Sequence, residues 1–221
     1  MRAALGSLVW PLRVRLNRLR GRARVRTATK LSLGDSGRGW GDFATAGLSG
    51  EMFLDVTAPL ADALVGRYAF IWSERMLEHI RVEDLPAELV NVEGLLQDGA
   101  RCRMCLPLCF WGTDATNMMR AGNLDNCVRQ GHVTWFTHEG LGPVTEEDMG
   151  AADPPPARTT SWDDQLAGTG LAYVPVRHYR RDGTLFIDET VLDEAGGRFR
   201  DEPSIPLRRP DSLIFDLVKT A

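Results

Sequence analysis

Long apolar runs are missing from this 221-residue chain. No stretch approaches the roughly 18 apolar residues that a membrane-spanning helix needs, which argues against a transmembrane protein. Cysteine is scarce, four in all, too few to frame a secreted disulfide module, so a reducing, cytoplasmic setting is expected. Acidic residues are absent from the first 30 positions, which hold eight Arg and one Lys. All 30 Asp and Glu therefore lie in the remainder, so a basic arm precedes an acidic body. An acidic body argues against nucleic acid as a partner, because each phosphate contact wants a cation. With 43% apolar residues, the chain can bury a core without staples.

The arm and the body divide at residue 28. Residues 1–28 read as a basic N-terminal arm and residues 29–221 as one domain. The apolar start of the arm is short and contains Pro11, and it lacks the small-residue cleavage site of a secretory signal. Leu12, Leu16 and Leu19 share a helical face, while Arg13, Arg20 and Arg24 lie elsewhere. Arg richness and absent acids also suit a transit peptide, although Ser is scarce. Further readings stay open. Residues 1–26 make peripheral contact with an anionic membrane, or with an acidic patch of the body, or they form a solvated leader.

The texture then changes. Residues 30–33 form a short apolar-alternating run that ends in a glycine-rich turn, residues 34–39. Residues 51–55 (EMFLD) read as the next strand, and residues 68–72 (YAFIW) as one buried on both faces. A helix follows, with Asp84 as N-cap, Pro86 in its first turn, and Leu85, Leu89, Val92 and Leu96 at helical spacing. Asp98 and Gly99 stop it, and residues 101–106 (RCRMCL) form another strand. Residues 171–179 and 212–219 read as a long antiparallel pair. The expected fold is α/β, a Rossmann-like, mostly parallel sheet with a terminal antiparallel hairpin and few helices.

Ligands of an open parallel sheet sit beyond the carboxyl ends of its strands. The glycine turn stands at one such end, where missing side chains let backbone N–H groups approach a ligand. Asp55 stands at the end of the next expected strand, where its two oxygens can accept both hydroxyls of a ribose. The alternative is a simple turn or cap residue. The glycine spacing is not that of a dinucleotide fingerprint. Cys102, Cys105 and Cys109 lack the pairing of a zinc site, and no metal ligand is assigned.

The run KLSLGDSG from residue 30, FLDVTAPL at 53–60, YAFIWSERMLEHI at 68–80 and LLQDGARCRMCLP at 95–107 resembles class I S-adenosylmethionine-dependent methyltransferases. HVTWF at 132–136 and RRPDSLIFDLVK at 208–219 continue the likeness. It is most similar to a compact bacterial branch associated with glycan and polysaccharide biosynthesis. The resemblance implies a seven-stranded sheet and S-adenosylmethionine as methyl donor. By position, Gly34, Asp35, Ser36 and Gly37 would surround the donor's methionine moiety. Asp55 would hold the ribose, Val56 would pack on the adenine, and Ser73 and Glu74 would lie beside the sulfonium. Ser36 replaces a usual glycine, and Arg75 stands where His is common.

The implied reaction is methyl transfer to a hydroxyl or amine of a small molecule or glycan. Such an acceptor must lose a proton, and His79 is the best general base by intrinsic pKa. Glu74 and His132 are rival candidates. By the same resemblance Glu78 would lie just behind the reacting centre, on the acceptor side with His132. Trp111 and Trp135 follow strand ends that would border the acceptor pocket, where aromatic faces suit sugar rings. A non-catalytic binding module of the same fold, attached through the arm, is the competing function. Nothing in the sequence sets the oligomeric state.

Overall fold

The computed structural model of the chain describes residues 2–34, 42–47, 50–107, 131–136, 140–143, 160–179, 184–188 and 212–220. Its first element is helix α1, Arg2–Thr27, which runs through Pro11 even though proline removes a backbone donor there. The central sheet has seven strands: β1 (Lys30–Leu33), β2 (Phe43–Ala46), β3 (Tyr68–Glu74), β4 (Leu96–Pro107), β7 (Leu171–Tyr179), β8 (Leu185–Ile187) and β9 (Ser212–Lys219). They lie in the order β2-β1-β3-β4-β9-β7-β8. The pairs β1–β2, β1–β3 and β3–β4 are parallel, and β4–β9, β9–β7 and β7–β8 are antiparallel. The fold is α/β, with a parallel half completed by an antiparallel edge, as expected. A separate small pair joins β5 (Thr134–Phe136) to β6 (Leu141–Pro143).

The parallel strands are buried because both faces are covered. Leu31, Ser32 and Leu33 of β1 and Ile71, Trp72 and Ser73 of β3 have almost no exposure. Helix α2 (Leu85–Leu95) covers one face with Leu85, Leu89, Val92 and Leu95, the spacing of one helical stripe. Each such side chain contributes about 1.5–3 kcal/mol by leaving water. Asp84 precedes α2 but makes no side-chain cap. It closes a 3-10 turn (Val82–Asp84) already in helical conformation, so the expected cap geometry is not adopted. The short helix α3 (Trp162–Leu166) is capped by Ser161, whose hydroxyl accepts from the Asp164 amide at 3.1 Å. Trp162 of α3 meets Phe136, Tyr173 and Phe215 in an aromatic cluster.

One strand lies elsewhere than its hydrophobicity suggests. The second strand is Phe43–Ala46 rather than residues 51–55. FATA fits between β1 and the exterior because all four of its residues are buried and small or flat. Met52 then meets the strand only through an isolated parallel bridge to Ala46. Phe53 and Asp55 are exposed, so the EMFLD run does not serve as a core strand.

Arg103 and Asp216 face each other across β4 and β9. Both are buried. The guanidinium donates from Nε to Oδ1 at 2.7 Å and from its second arm to Oδ2 at 2.9 Å. The bidentate geometry satisfies the carboxylate inside the sheet and fixes the register of the reversed strand. Cys102 and Cys105 on β4 are also buried. Burial holds the Cys102 thiol well above its ordinary pKa, helped by the charge of Asp216.

The body holds α1 along one side. Val14 and Gly21 are buried, and Gly21 packs on the Glu51 side chain. Arg24 reaches Glu51 at 3.5 Å, and Arg67 donates to the Val25 carbonyl. No helix among the described residues is long and apolar enough to cross a membrane.

Candidate functional site

The carboxyl ends of the parallel strands converge. Gly34, directly after β1, has φ +92°, a conformation that L side chains rarely adopt. A Cβ there would lie 2.8 Å from the Glu74 carbonyl oxygen at the end of β3. Gly34 also donates its amide to the Ala46 carbonyl at 3.2 Å, which ties the end of β1 to that of β2. Arg75, at φ +52°, is the one non-glycine residue with positive φ among those described, and its amide bonds the Cys105 carbonyl at 2.9 Å. That left-handed residue turns the chain sharply out of β3.

Beyond the turn, residues Leu77–His79 form a 3-10 turn that buries Glu78 and leaves His79 exposed. Its partner is the segment 131–134. The Val133 amide donates to the Glu78 carbonyl at 2.8 Å, and the Thr134 hydroxyl donates to the Ile80 carbonyl at 2.6 Å. His79 donates Nδ1–H to the Gly131 carbonyl at 3.1 Å. His132 is buried beside them, its ring edge-on to His79 at 5.0 Å between centroids and its Nε2 4.0 Å from Glu78 Oε1. Three chemistry-bearing groups from distant positions thus meet just past the end of a central strand.

Glu88 stands behind this cluster on α2. It is fully buried, and neither carboxyl oxygen has a hydrogen-bond partner among the described residues. Burial, and then the nearby charge of Glu78, push its pKa well above the carboxylate range. The sequence carried a signal for this group, because Glu88 occupies the apolar stripe between Leu85 and Val92.

The other candidate residues are distributed as follows. Ser73 is buried, and its hydroxyl has no partner among the described residues; Glu74 is half-buried beside the Gly34 approach. Asp55 does not end a strand. The strand end next to Gly34 is Ala46-Gly47, and Asp55 lies further along in a turn, exposed. Its Oδ1 accepts from the Thr57 hydroxyl at 2.7 Å and the Thr57 amide at 3.0 Å, which lowers its pKa. Val56 is buried in the core, and its carbonyl accepts from Asn91 at 2.7 Å. Trp135 lies in β5. Asp35, Ser36, Gly37 and Trp111 lie outside the described residues.

No family model matches the chain, and no curated protein matches it. Among solved structures it is similar to the CurJ carbon methyltransferase at 11% identity and a TM-score of 0.45, covering 87% of this chain. The chain spans about half of that structure's length, 48%. It is similar to the 16S rRNA (adenine(1408)-N(1))-methyltransferase from Catenulisporales acidiphilia, at 12% identity and a TM-score of 0.44, over 91% of this chain and 92% of that one. A third is the Burkholderia thailandensis 1,6-didemethyltoxoflavin-N1-methyltransferase, at 11% identity and a TM-score of 0.41, over 98% and 83% of the two chains.

Proposed function

We propose that the chain is a methyltransferase that takes S-adenosylmethionine as donor and a hydroxyl or amine of a small molecule or glycan as acceptor. The observation that carries this reading is the close backbone approach of Gly34 to Glu74 at the carboxyl ends of β1 and β3, with Glu78, His79 and His132 gathered immediately beyond. A side chain at position 34 would collide with the Glu74 carbonyl, so only glycine lets the two strand ends meet where an open parallel sheet takes its ligand. The donor supplies a methyl group on a positively charged sulfur; as the new bond to the acceptor forms, the carbon–sulfur bond breaks and its electron pair stays on sulfur.

The protein's task is then mainly positioning, which alone supplies several kcal/mol in favourable cases. Gly34 and the residues that follow it would hold the methionine end. Asp55, kept ionised by its two bonds from Thr57, would accept from the ribose through its second oxygen. Ser73 and Glu74 would stand beside the sulfonium. On the acceptor side, Glu78 and His132 would orient the substrate, and His79, exposed at the edge, would take the proton that the acceptor loses. Binding of S-adenosylhomocysteine, followed by methyl transfer to a panel of hydroxyl and amine acceptors, tests the reading.

We also propose that α1 lays the body on an anionic membrane surface. Leu12, Leu16 and Leu19 are 61%, 41% and 49% exposed, opposite the face that docks on the body through buried Val14 and Gly21 and half-buried Val25. Arg15, Arg22 and Arg26 flank the leucine stripe on one side and Arg20 and Arg24 on the other, all exposed. An apolar stripe between two basic borders fits the boundary between acyl chains and anionic headgroups.

A further inference from the structure

Glu78, His79 and His132 offer one carboxylate and two imidazoles, and one donor atom of each lies within 4.8 Å of the others. We propose that this trio binds a divalent transition-metal ion of the zinc class and leaves a coordination position open toward solvent.

The donor set is the first support. Two imidazoles and a carboxylate suit zinc and its neighbours, whereas calcium and magnesium favour oxygen alone. Three protein ligands with a vacancy is the pattern of sites that act on a bound molecule rather than brace a fold.

The second support is the way the donors are held. They come from segments 52 residues apart in the chain. The bonds from Val133 to Glu78 and from Thr134 to Ile80 join the segments through backbone and hydroxyl atoms, so the carboxylate and the His132 ring take no part in them. The His79 bond does more. With Nδ1–H given to the Gly131 carbonyl, Nε2 is the ring atom that keeps a lone pair. A backbone carbonyl holding one ring nitrogen, so that the other is left to bind, is how metal-binding imidazoles are commonly oriented.

The third support is spacing. His132 Nε2 and Glu78 Oε1 are 4.0 Å apart, too far for a hydrogen bond, and the two rings meet edge to face rather than bonding. The three donor atoms lie within 4.8 Å of one another. Bonds of about 2.0–2.2 Å to a tetrahedral ion place its ligands about 3.3 Å apart, so binding contracts the trio by roughly an ångström. Exposed His79 can supply that movement by rotating, and its exposure also provides the entry path.

The ion's role rests on the methyl-transfer reading, although its binding does not. A bound ion would act as a Lewis acid on an acceptor hydroxyl; with the ion in place His79 would be a ligand and the proton would pass to water, and without it His79 keeps the role of base.

The test uses the full chain, freed of metal by a chelator, dialysed and titrated with Zn2+ alone against a chromophoric competitor. One equivalent per chain is expected, with His79→Ala and His132→Ala each weakening affinity at least tenfold and Cys102→Ser leaving it unchanged. Because His132 is buried, His79→Ala and the visible spectrum of bound Co2+ provide readouts that do not depend on altering the core. No saturable uptake, or uptake indifferent to both histidine substitutions, overturns the site. S-adenosylhomocysteine titrated into the same preparation separates the two ideas. Zinc uptake without nucleotide binding defeats the methyl-transfer reading and keeps the site, and the converse defeats the site alone.

Discussion

A Cβ at position 34 would sit 2.8 Å from the Glu74 carbonyl oxygen, so β1 and β3 meet at a point that only glycine allows. Gly34→Ala must strain both the contact and the positive φ. The expected cost is about 1–3 kcal/mol of stability, read as a lower denaturation midpoint. Donor affinity should fall in the same variant. A Gly34→Ala protein with unchanged midpoint and unchanged S-adenosylhomocysteine affinity would show that this approach matters to neither.

His79 is exposed, and its proposed role is to take the proton that the acceptor loses. His79→Ala is expected to lower turnover at least about tenfold while the affinity for S-adenosylhomocysteine stays within about twofold. Single-turnover methylation on a responsive acceptor makes the comparison. Unchanged turnover removes His79 from the mechanism.

Glu88 gives the fold a pH dependence. Its pKa is raised in the folded chain, so between its unfolded and folded values the native state holds a proton that the unfolded state has released. Stability therefore falls as pH rises through that window and is greatest below the unfolded value. Glu88→Gln keeps the shape and removes the titration. Its thermal midpoint should be flatter with pH than that of the parent above the carboxylate range, and superimposable curves would mean that the buried carboxyl is not proton-linked.

The Arg103–Asp216 pair is buried on both sides. Removing one partner strands the other charge in the sheet. Asp216→Ala should cost about 3–5 kcal/mol, measured by chemical denaturation, with the double replacement of both residues by apolar side chains recovering part of the loss. A single-variant loss below about 1 kcal/mol would indicate that water reaches the pair.

For α1, replacing Leu12, Leu16 and Leu19 together by Ser should reduce sedimentation with phosphatidylglycerol-containing vesicles at least about tenfold, without changing stability, because all three are exposed. Binding to neutral phosphatidylcholine vesicles should be weak in both proteins. Equal sedimentation of parent and variant argues against the leucine stripe, and self-association lost in the variant would assign the stripe to a second copy of the chain.

The parallel core was legible from sequence in the apolar runs of β1 and β3, the stripe of α2 and the second half of β4, and the antiparallel pair because Leu171–Tyr179 and Ser212–Lys219 are long; the helix stop was not, since α2 ends at Leu95 and Leu96, Asp98 and Gly99 already belong to β4. FATA was not, since four short residues carry little hydrophobic signal, whereas EMFLD carries more and yet faces solvent at Phe53 and Asp55. Pairing with β1 decided that choice, and pairing is a non-local property. At the candidate site, Glu78 and His79 could be singled out by their place after β3. Their meeting with Gly131 and His132 could not, because no local pattern links positions 52 residues apart. Arg103 and Asp216 were each visible as a charge inside an apolar strand, but only the β4–β9 register makes them partners.

Calorimetric titration of the full chain with S-adenosylmethionine, S-adenosylhomocysteine and NAD tests donor binding most directly. Saturable one-to-one binding of both sulfur nucleotides is expected, weakened by Gly34→Ala and by Asp55→Ala, with no heat from NAD. Binding of neither sulfur nucleotide, or of NAD in their place, contradicts it.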